Sequence, residues 1–265
     1  MKKILLLGVG ALCHIHASAQ ENLAIIADSI RQEGILLYQL VQTCNTGVEL
    51  FESDTTGSLS LRAAGFFSYR ENSKYVLVMP HRDSYDHHRP GRATSCRLDS
   101  SLNPQTAETT VGRGLTDYEK EVFELWKLVQ IMLEKDAGFK KARDTYFMVV
   151  PIIEGASRKV YVLSASTRNS NFVLGNDYLL YFNNAHELIA KKEFHTNLLM
   201  TPKGRKSSGH IHGRANSPYI TATDICALML HPKAFDQASM RVVSPTHISE
   251  WNMADNTLYI EPRMQ

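Results

Sequence analysis

Two histidines, a threonine and an aspartate in the C-terminal third of the chain have the residue types of a zinc site. His210 and His212 are separated by one residue, and on a strand such residues lie on the same face, roughly 7 Å apart. A polar loop follows, and Asp224 stands in the first turn of a predicted helix. Two imidazoles and one carboxylate suit Zn²⁺ and leave a fourth position for water. The spacing therefore predicts His210, His212 and Asp224 as metal ligands.

A zinc site with an open position implies hydrolytic chemistry. The metal would acidify its bound water, a nearby glutamate would take the proton, and the Thr221 hydroxyl would donate to the developing oxyanion. Glu154 is the first candidate for the general base, because it ends an apolar strand and precedes Gly155. Glu187 and Glu193 are the alternatives.

The succession His-x-His, a short loop and Thr-x-x-Asp resembles the JAMM (MPN+) motif of zinc isopeptidases and related hydrolases. The resemblance covers residues 145 to 260 approximately. It implies a mixed sheet flanked by helices, with Thr221 standing where the family has a serine and a glutamate from an earlier strand acting as the base. The implied activity is zinc-dependent hydrolysis of peptide or isopeptide bonds in a peptide or protein substrate that the sequence does not identify.

The same residues have a structural interpretation. Thr221-x-x-Asp224 is also typical of a helix start, where the threonine caps the first turn and the aspartate complements the helix dipole. His210 and His212 are then polar residues on a half-exposed strand. In that case the chain is a non-catalytic binding or interaction protein of the cell envelope with a degenerate JAMM-like fold. A glutamate close to the site would favour the enzyme, and its absence would favour the binding protein.

The N-terminus has the three parts of a secretory signal peptide. Lys2 and Lys3 precede an apolar run, Ile4–Leu12, and the small residues Ala17 and Ala19 follow. We therefore expect cleavage after residue 19 and a mature protein in the periplasm or outside the cell. The leader and the chain as a whole resemble secreted proteins of Bacteroidetes, which implies a location and no activity.

Composition limits the classes of partner. The chain has 265 residues, 43% of them hydrophobic, and a formal charge of +2, which gives no basis for binding nucleic acid. After the leader no apolar run reaches the roughly 20 residues of a membrane-spanning helix. Cys44, Cys96 and Cys226 remain after cleavage, so one disulfide is possible; Cys44 with Cys96 is one pairing, and Cys226 is predicted to be a buried thiol.

Hydrophobic periodicity predicts an α+β protein of two units, residues 20–110 and 111–265. The first has an amphipathic helix over residues 23–43 and a small antiparallel sheet, with strands at 48–51, 58–61, 65–69 and 75–78. The polar stretch 80–114 is partly loop. The second begins with a helix capped by Thr116 and Glu119. Strands follow at 146–153, 159–165, 172–182 and 194–200, then a helix at 221–230 and closing strands at 241–244 and 257–260.

Overall fold

The computed structural model describes residues 4–52, 63–82, 91–168, 171–195, 198–202, 210–212, 217–232 and 239–264, and side chains from residue 22 onward except those of 201–202 and 210–212. The architecture is α+β, as predicted. The helices are α1 (Ile4–Glu52), α2 (Asp117–Lys135) and α3 (Ala222–Leu230). The strands are β1 (Phe67–Glu71), β2 (Lys74–Pro80), β3 (Arg92–Leu98), β4 (Glu108–Gly114), β5 (Thr145–Glu154), β6 (Ser157–Ser166), β7 (Asn171–Gly175), β8 (Tyr178–Phe182), β9 (Leu188–Glu193), β10 (Leu198–Pro202), β11 (His210–His212), β12 (Ser239–Val243), β13 (His247–Asn252) and β14 (Thr257–Pro262).

Helix α1 is longer than the sequence predicts and includes residues 4–19 of the predicted leader. The predicted strand at residues 48–51 is wrong, because these residues form the last turns of α1. Their β propensity is overridden by packing: Leu40, Gly47 and Phe51 continue one helical face, on which Leu40 and Phe51 are buried and Gly47 lies against Leu77 of β2. The predicted strand at 58–61 lies outside the described residues.

The first sheet is antiparallel, in the order β1-β2-β3-β4. Strands β1 and β2 were predicted, whereas β3 and β4 lie in the stretch expected to be partly loop. Strand β3 has weak hydrophobic periodicity because its buried positions, 93–96, hold Ala, Thr, Ser and Cys. These four consecutive residues are buried on both faces of the sheet, so they give no alternating apolar pattern.

The second sheet has the order β5-β6-β8-β9 and is antiparallel throughout. The single strand predicted over residues 172–182 is in fact two, β7 and β8. The last residue of β7, Gly175, and the following residue, Asn176, have positive φ angles of 89° and 57° and turn the chain, and β7 pairs with β10. A turn follows β8 at Asn183, whose Oδ1 accepts hydrogen bonds from the backbone N–H groups of Ala185 and Glu187. The strand predicted over 194–200 corresponds, among the described residues, to β10, which begins at Leu198.

The third sheet, β11-β12-β13-β14, has one parallel pair, β11 with β12. The two closing strands predicted from the sequence correspond to β12 and β14. Strand β13, which was not predicted, lies between them and supplies Ser249 and Trp251 to the buried face.

Helix α2 begins as predicted, with a reciprocal capping box between Thr116 and Glu119. The Glu119 carboxylate is fully buried and also receives hydrogen bonds from Arg113 and Tyr69. These charge-assisted bonds explain how a carboxylate is accommodated in the interior.

One hydrophobic cluster crosses the predicted boundary at residue 110. It combines Leu37 of α1 and Leu77 of β2 with Tyr161 of β6 and Cys226 of α3. Both predicted units therefore contribute to a common core, in which α1 packs against elements of each.

Cys44, Cys96 and Cys226 are free thiols, and Cys226 is buried as predicted. No helix in the described part of the chain is both long enough and apolar enough to cross a membrane.

Candidate functional site

Helix α3 begins at a capping box that uses both predicted site residues of this helix. Thr221 is the N-cap, and its Oγ1 accepts a hydrogen bond from the Asp224 N–H at 3.2 Å and donates to Asp224 Oδ2 at 2.9 Å. Oδ2 also accepts from the Thr221 N–H at 2.9 Å. Both residues are buried. One carboxylate oxygen of Asp224 is therefore occupied in starting the helix.

The other oxygen of Asp224 faces a histidine that sequence reasoning did not select. His195 Nε2 lies 3.3 Å from Asp224 Oδ1, and His195 Nδ1 lies 3.7 Å from Asp177 Oδ2. All three side chains are at least nine-tenths buried. His195 Nδ1 and Asp224 Oδ1 form no hydrogen bond with any described residue, so the contacts are ion pairs. We call Asp177, His195 and Asp224 the buried triad.

The two carboxylates keep His195 protonated. Burial alone would lower the pKa of His195, but the negative charge of Asp224 and the contacts with Asp177 raise it to about 10. Burial alone would raise the pKa of Asp224, but the His195 charge and the bonds from Thr221 lower it. At neutral pH the triad thus contains an imidazolium at His195 and a carboxylate at Asp224. Since metal binding requires a neutral imidazole, His195 in this state is a cation partner and not a ligand.

A hairpin brings the triad together. Asp177 immediately precedes β8, His195 closely follows β9, and the Phe194 N–H donates to the Asp177 carbonyl at 3.0 Å. Because β8 and β9 are antiparallel partners, with Tyr178 opposite Glu193, the residues before one strand and after the other must meet. Helix α3 then adds Asp224 from a distant part of the sequence.

Next to the triad is a cavity of about 610 Å³. Helix α1 forms one wall, strands β5, β6 and β7 form a second, and α3 forms a third. Asp177, Thr223 and Cys226 reach the cavity from the side of the triad. The rest of the lining is Val41, Gln42, Asn45, Val48, Glu49, Phe66, Tyr146, Met148, Leu163, Ser164, Ala165, Ser166, Arg168, Asn171, Val173, Leu174, Gly175, Ala227, Leu230 and His231. Its size and its mixture of apolar and polar groups fall in the range of small-molecule sites.

The predicted general base is not close to this region. Glu154 pairs with Ser157 at the hairpin end of β6, whereas Asp177 Oδ1 accepts from the Ser164 N–H at 3.2 Å. Seven residues of strand separate Ser157 from Ser164, which is roughly 23 Å. The structure therefore brings Asp224 and Thr221 together but does not bring Glu154 to them.

The alternative bases lie at opposite ends of the second sheet. Glu187 is at the turn after β8, where its Oε2 accepts a hydrogen bond from Asn183 Nδ2. Glu193 ends β9 opposite Tyr178 and is two residues before His195. Of the three predicted bases, only Glu193 is at the triad end of the sheet.

His210 and His212 are backbone partners of Arg241 and Val243. The intervening β12 residue, Val242, is opposite Ile211 and belongs with Ile225 of α3 to one buried hydrophobic cluster. The two histidines are therefore paired with the β12 residues on either side of Val242, which alternate with it along the strand. Their side chains lie outside the part of the chain whose side chains the structure describes.

The structure describes the side chain of one predicted zinc ligand, Asp224, and not those of His210 and His212. Among the described residues, no group of three His, Cys, Asp or Glu side chains has the geometry of a metal site. Asp224 has one oxygen in the capping box and the other beside an imidazolium, which does not fit a zinc ligand. Zinc binding by His210, His212 and Asp224 stays a prediction, and no chemical step is derived through it.

The chain matches no family model, no curated protein and no solved structure.

Proposed function

We propose that this chain is an exported, non-catalytic binding protein whose cavity between α1, α3 and the second sheet takes a small ligand. The observation that supports the proposal best is the cavity itself, with the buried side chain of Asp177 in its wall. A buried charged group beside a cavity of this volume is typical of a ligand site. The leader pattern supports export.

The positions of the predicted catalytic residues favour binding over hydrolysis. Thr221 and Asp224 hold one another at the start of α3, and His195 already supplies the positive charge that Asp224 requires. Glu154 lies roughly 20 Å away along the sheet. A general base must be within hydrogen-bond reach of the proton it removes, directly or through one water.

Ligand-observed NMR on the purified protein, with a mixture of cationic, anionic and neutral fragments, tests the proposal. Asn45 is exposed on α1 and lines the cavity, so Asn45→Trp should place an indole ring in the cavity and abolish binding of the fragments that bind wild type. Gln32→Trp, at another exposed position of α1, is the matched control and should leave binding intact. Binding that both variants retain, or no binding of any fragment to wild type, would overturn the proposal.

Elemental analysis of protein purified without a chelating tag tests the hydrolase. Near-stoichiometric zinc that disappears in the double variant His210→Ala, His212→Ala, together with zinc-dependent cleavage of a peptide substrate, would contradict a non-catalytic role. We expect negligible zinc in both proteins, even after zinc is supplied to the folded chain.

A further inference from the structure

One carboxylate oxygen in the cavity wall has spare hydrogen-bonding capacity. Asp177 Oδ1 accepts from the Ser164 N–H at 3.2 Å. Asp177 Oδ2 lies 3.7 Å from His195 Nδ1, which is beyond hydrogen-bond distance, and Asp177 itself lines the cavity. Buried carboxylate oxygens are ordinarily hydrogen-bonded, so a donor in the cavity would complete the coordination of Oδ2.

The charge around the cavity is negative among the residues that the structure describes. His195 is shared between Asp177 and Asp224, which leaves the buried triad with an excess negative charge. Glu49 adds a second carboxylate from α1. Arg168 is the one lysine or arginine in the described lining, and it is paired with Asp144 at 3.2 Å.

We propose that the cavity takes an organic cation, in which a primary ammonium group binds Asp177 and an apolar body fills the remaining space. This inference rests on the proposed function and adds the chemical class of its ligand. An ammonium group has three donors and no acceptor, so it complements Asp177 Oδ2 and offsets the excess charge of the triad. Val41, Met148 and Leu174 provide apolar wall for the body of the ligand.

Three probes of equal length separate charge from shape: hexylamine, hexanoate and 1-hexanol. Each is titrated into the purified protein at neutral pH and constant ionic strength, with calorimetry or ligand-observed NMR as the readout. We expect hexylammonium to bind at least about tenfold more tightly than hexanoate, which corresponds to one charge-assisted contact. The neutral alcohol should lie between them.

Asp177→Asn should remove the preference for the cation while the fold is retained. Asp136→Asn is the matched control, because Asp136 is paired with Lys191 and is not part of the cavity lining. Should Asp177→Asn fail to fold, Glu49→Gln at an exposed position of the wall gives an independent test, and we expect it to reduce the preference by a smaller factor.

The outcomes separate this inference from the proposed function. Equal binding of the three probes, tighter binding of hexanoate, or a cation preference that survives Asp177→Asn would overturn the organic cation. If Asn45→Trp abolishes binding of the probes in any of these three cases, the cavity is still a ligand site, but not one that selects a cation through Asp177. A failure of hexylammonium to bind would also overturn the organic cation. Binding of the probes that is unchanged in Asn45→Trp would overturn both the organic cation and the cavity as the ligand site.

Discussion

His195 Nε2 lies 3.3 Å from Asp224 Oδ1, so the histidine gives Asp224 its cation partner inside the protein. This relationship joins the hairpin β8–β9 to the start of α3. It also makes the two residues depend on one another. A buried ion pair contributes little over an apolar pair, but breaking it by removing one partner is costly, because the remaining charge stays buried.

We therefore predict that His195→Gln destabilises the protein by roughly 3–5 kcal/mol, the usual cost of removing one partner of a buried ion pair. Urea denaturation monitored by circular dichroism measures the loss. His247→Gln is the control, because the His247 imidazole hydrogen-bonds to the hydroxyl of the adjacent Thr246 and packs edge-on against Tyr219. We expect that control to cost under about 1 kcal/mol. A loss for His195→Gln no larger than that of the control would contradict an ionised triad.

The stability of the fold should decline as pH rises above neutrality. The pKa of His195 is raised from 6.5 to about 10, so its contribution is fully present below pH 6.5 and is lost as pH rises toward 10. Within that window the folded state binds one more proton than the unfolded state, which predicts a slope of about −1.4 kcal/mol per pH unit. Denaturation midpoints between pH 6 and 9.5 measure it.

His195→Gln should flatten this alkaline slope. Some decline above pH 9 should persist in the variant, because burial raises the pKa of Cys44 to about 11 and thus disfavours its ionisation in the folded state. On the acid side, the pKa of Asp224 is lowered below 3.8, so its contribution is present above that pH and is lost as pH falls through the lowered value. Equal alkaline slopes in wild type and variant would show that His195 is not protonated in the fold.

The features of this fold that depend on neighbouring residues could be predicted from the sequence. Those that depend on pairing between distant segments could not. The starts of α2 and α3 were foreseen because a capping box is contained within four consecutive residues. The break between β7 and β8 was missed because apolar residues on both sides of Asn176 give the pattern of one strand, whereas Asn176 adopts a positive φ that interrupts it.

The candidate site was only half predicted, for the same reason. Thr221 and Asp224 were selected by their spacing, but Asp177 and His195 become neighbours only once β8 and β9 pair. Strand β9 was not predicted, because its residues are almost all exposed and show no alternation. A prediction of that hairpin would have placed His195 beside Asp177.

Thr221 should matter for stability through its cap. Thr221→Ala removes the acceptor for the Asp224 N–H and the donor to Asp224 Oδ2, and we expect a loss of about 1–2 kcal/mol. Thr221→Ser keeps the hydroxyl and should recover most of that loss. Thermal and urea denaturation of both variants measure the difference. Equal stability of wild type and Thr221→Ala would show that the capping box contributes nothing to the fold.

Gly34 permits the close approach of α1 to α3, and its replacement by alanine should destabilise the protein. A Cβ atom at Gly34 would lie 2.7 Å from both Cβ and Cγ2 of Ile225 and 3.2 Å from the Ala222 carbonyl oxygen, so the helices would have to separate. Within an exposed helix the same change would be stabilising by roughly 1 kcal/mol, because alanine is the better helix former. We expect Gly34→Ala instead to cost about 1–3 kcal/mol, as overpacking of a core does. Ser29→Ala, at an exposed position of α1, is the control and should be neutral or slightly stabilising. If Gly34→Ala increased the stability of the protein as much as Ser29→Ala does, the tight contact of the two helices would be contradicted.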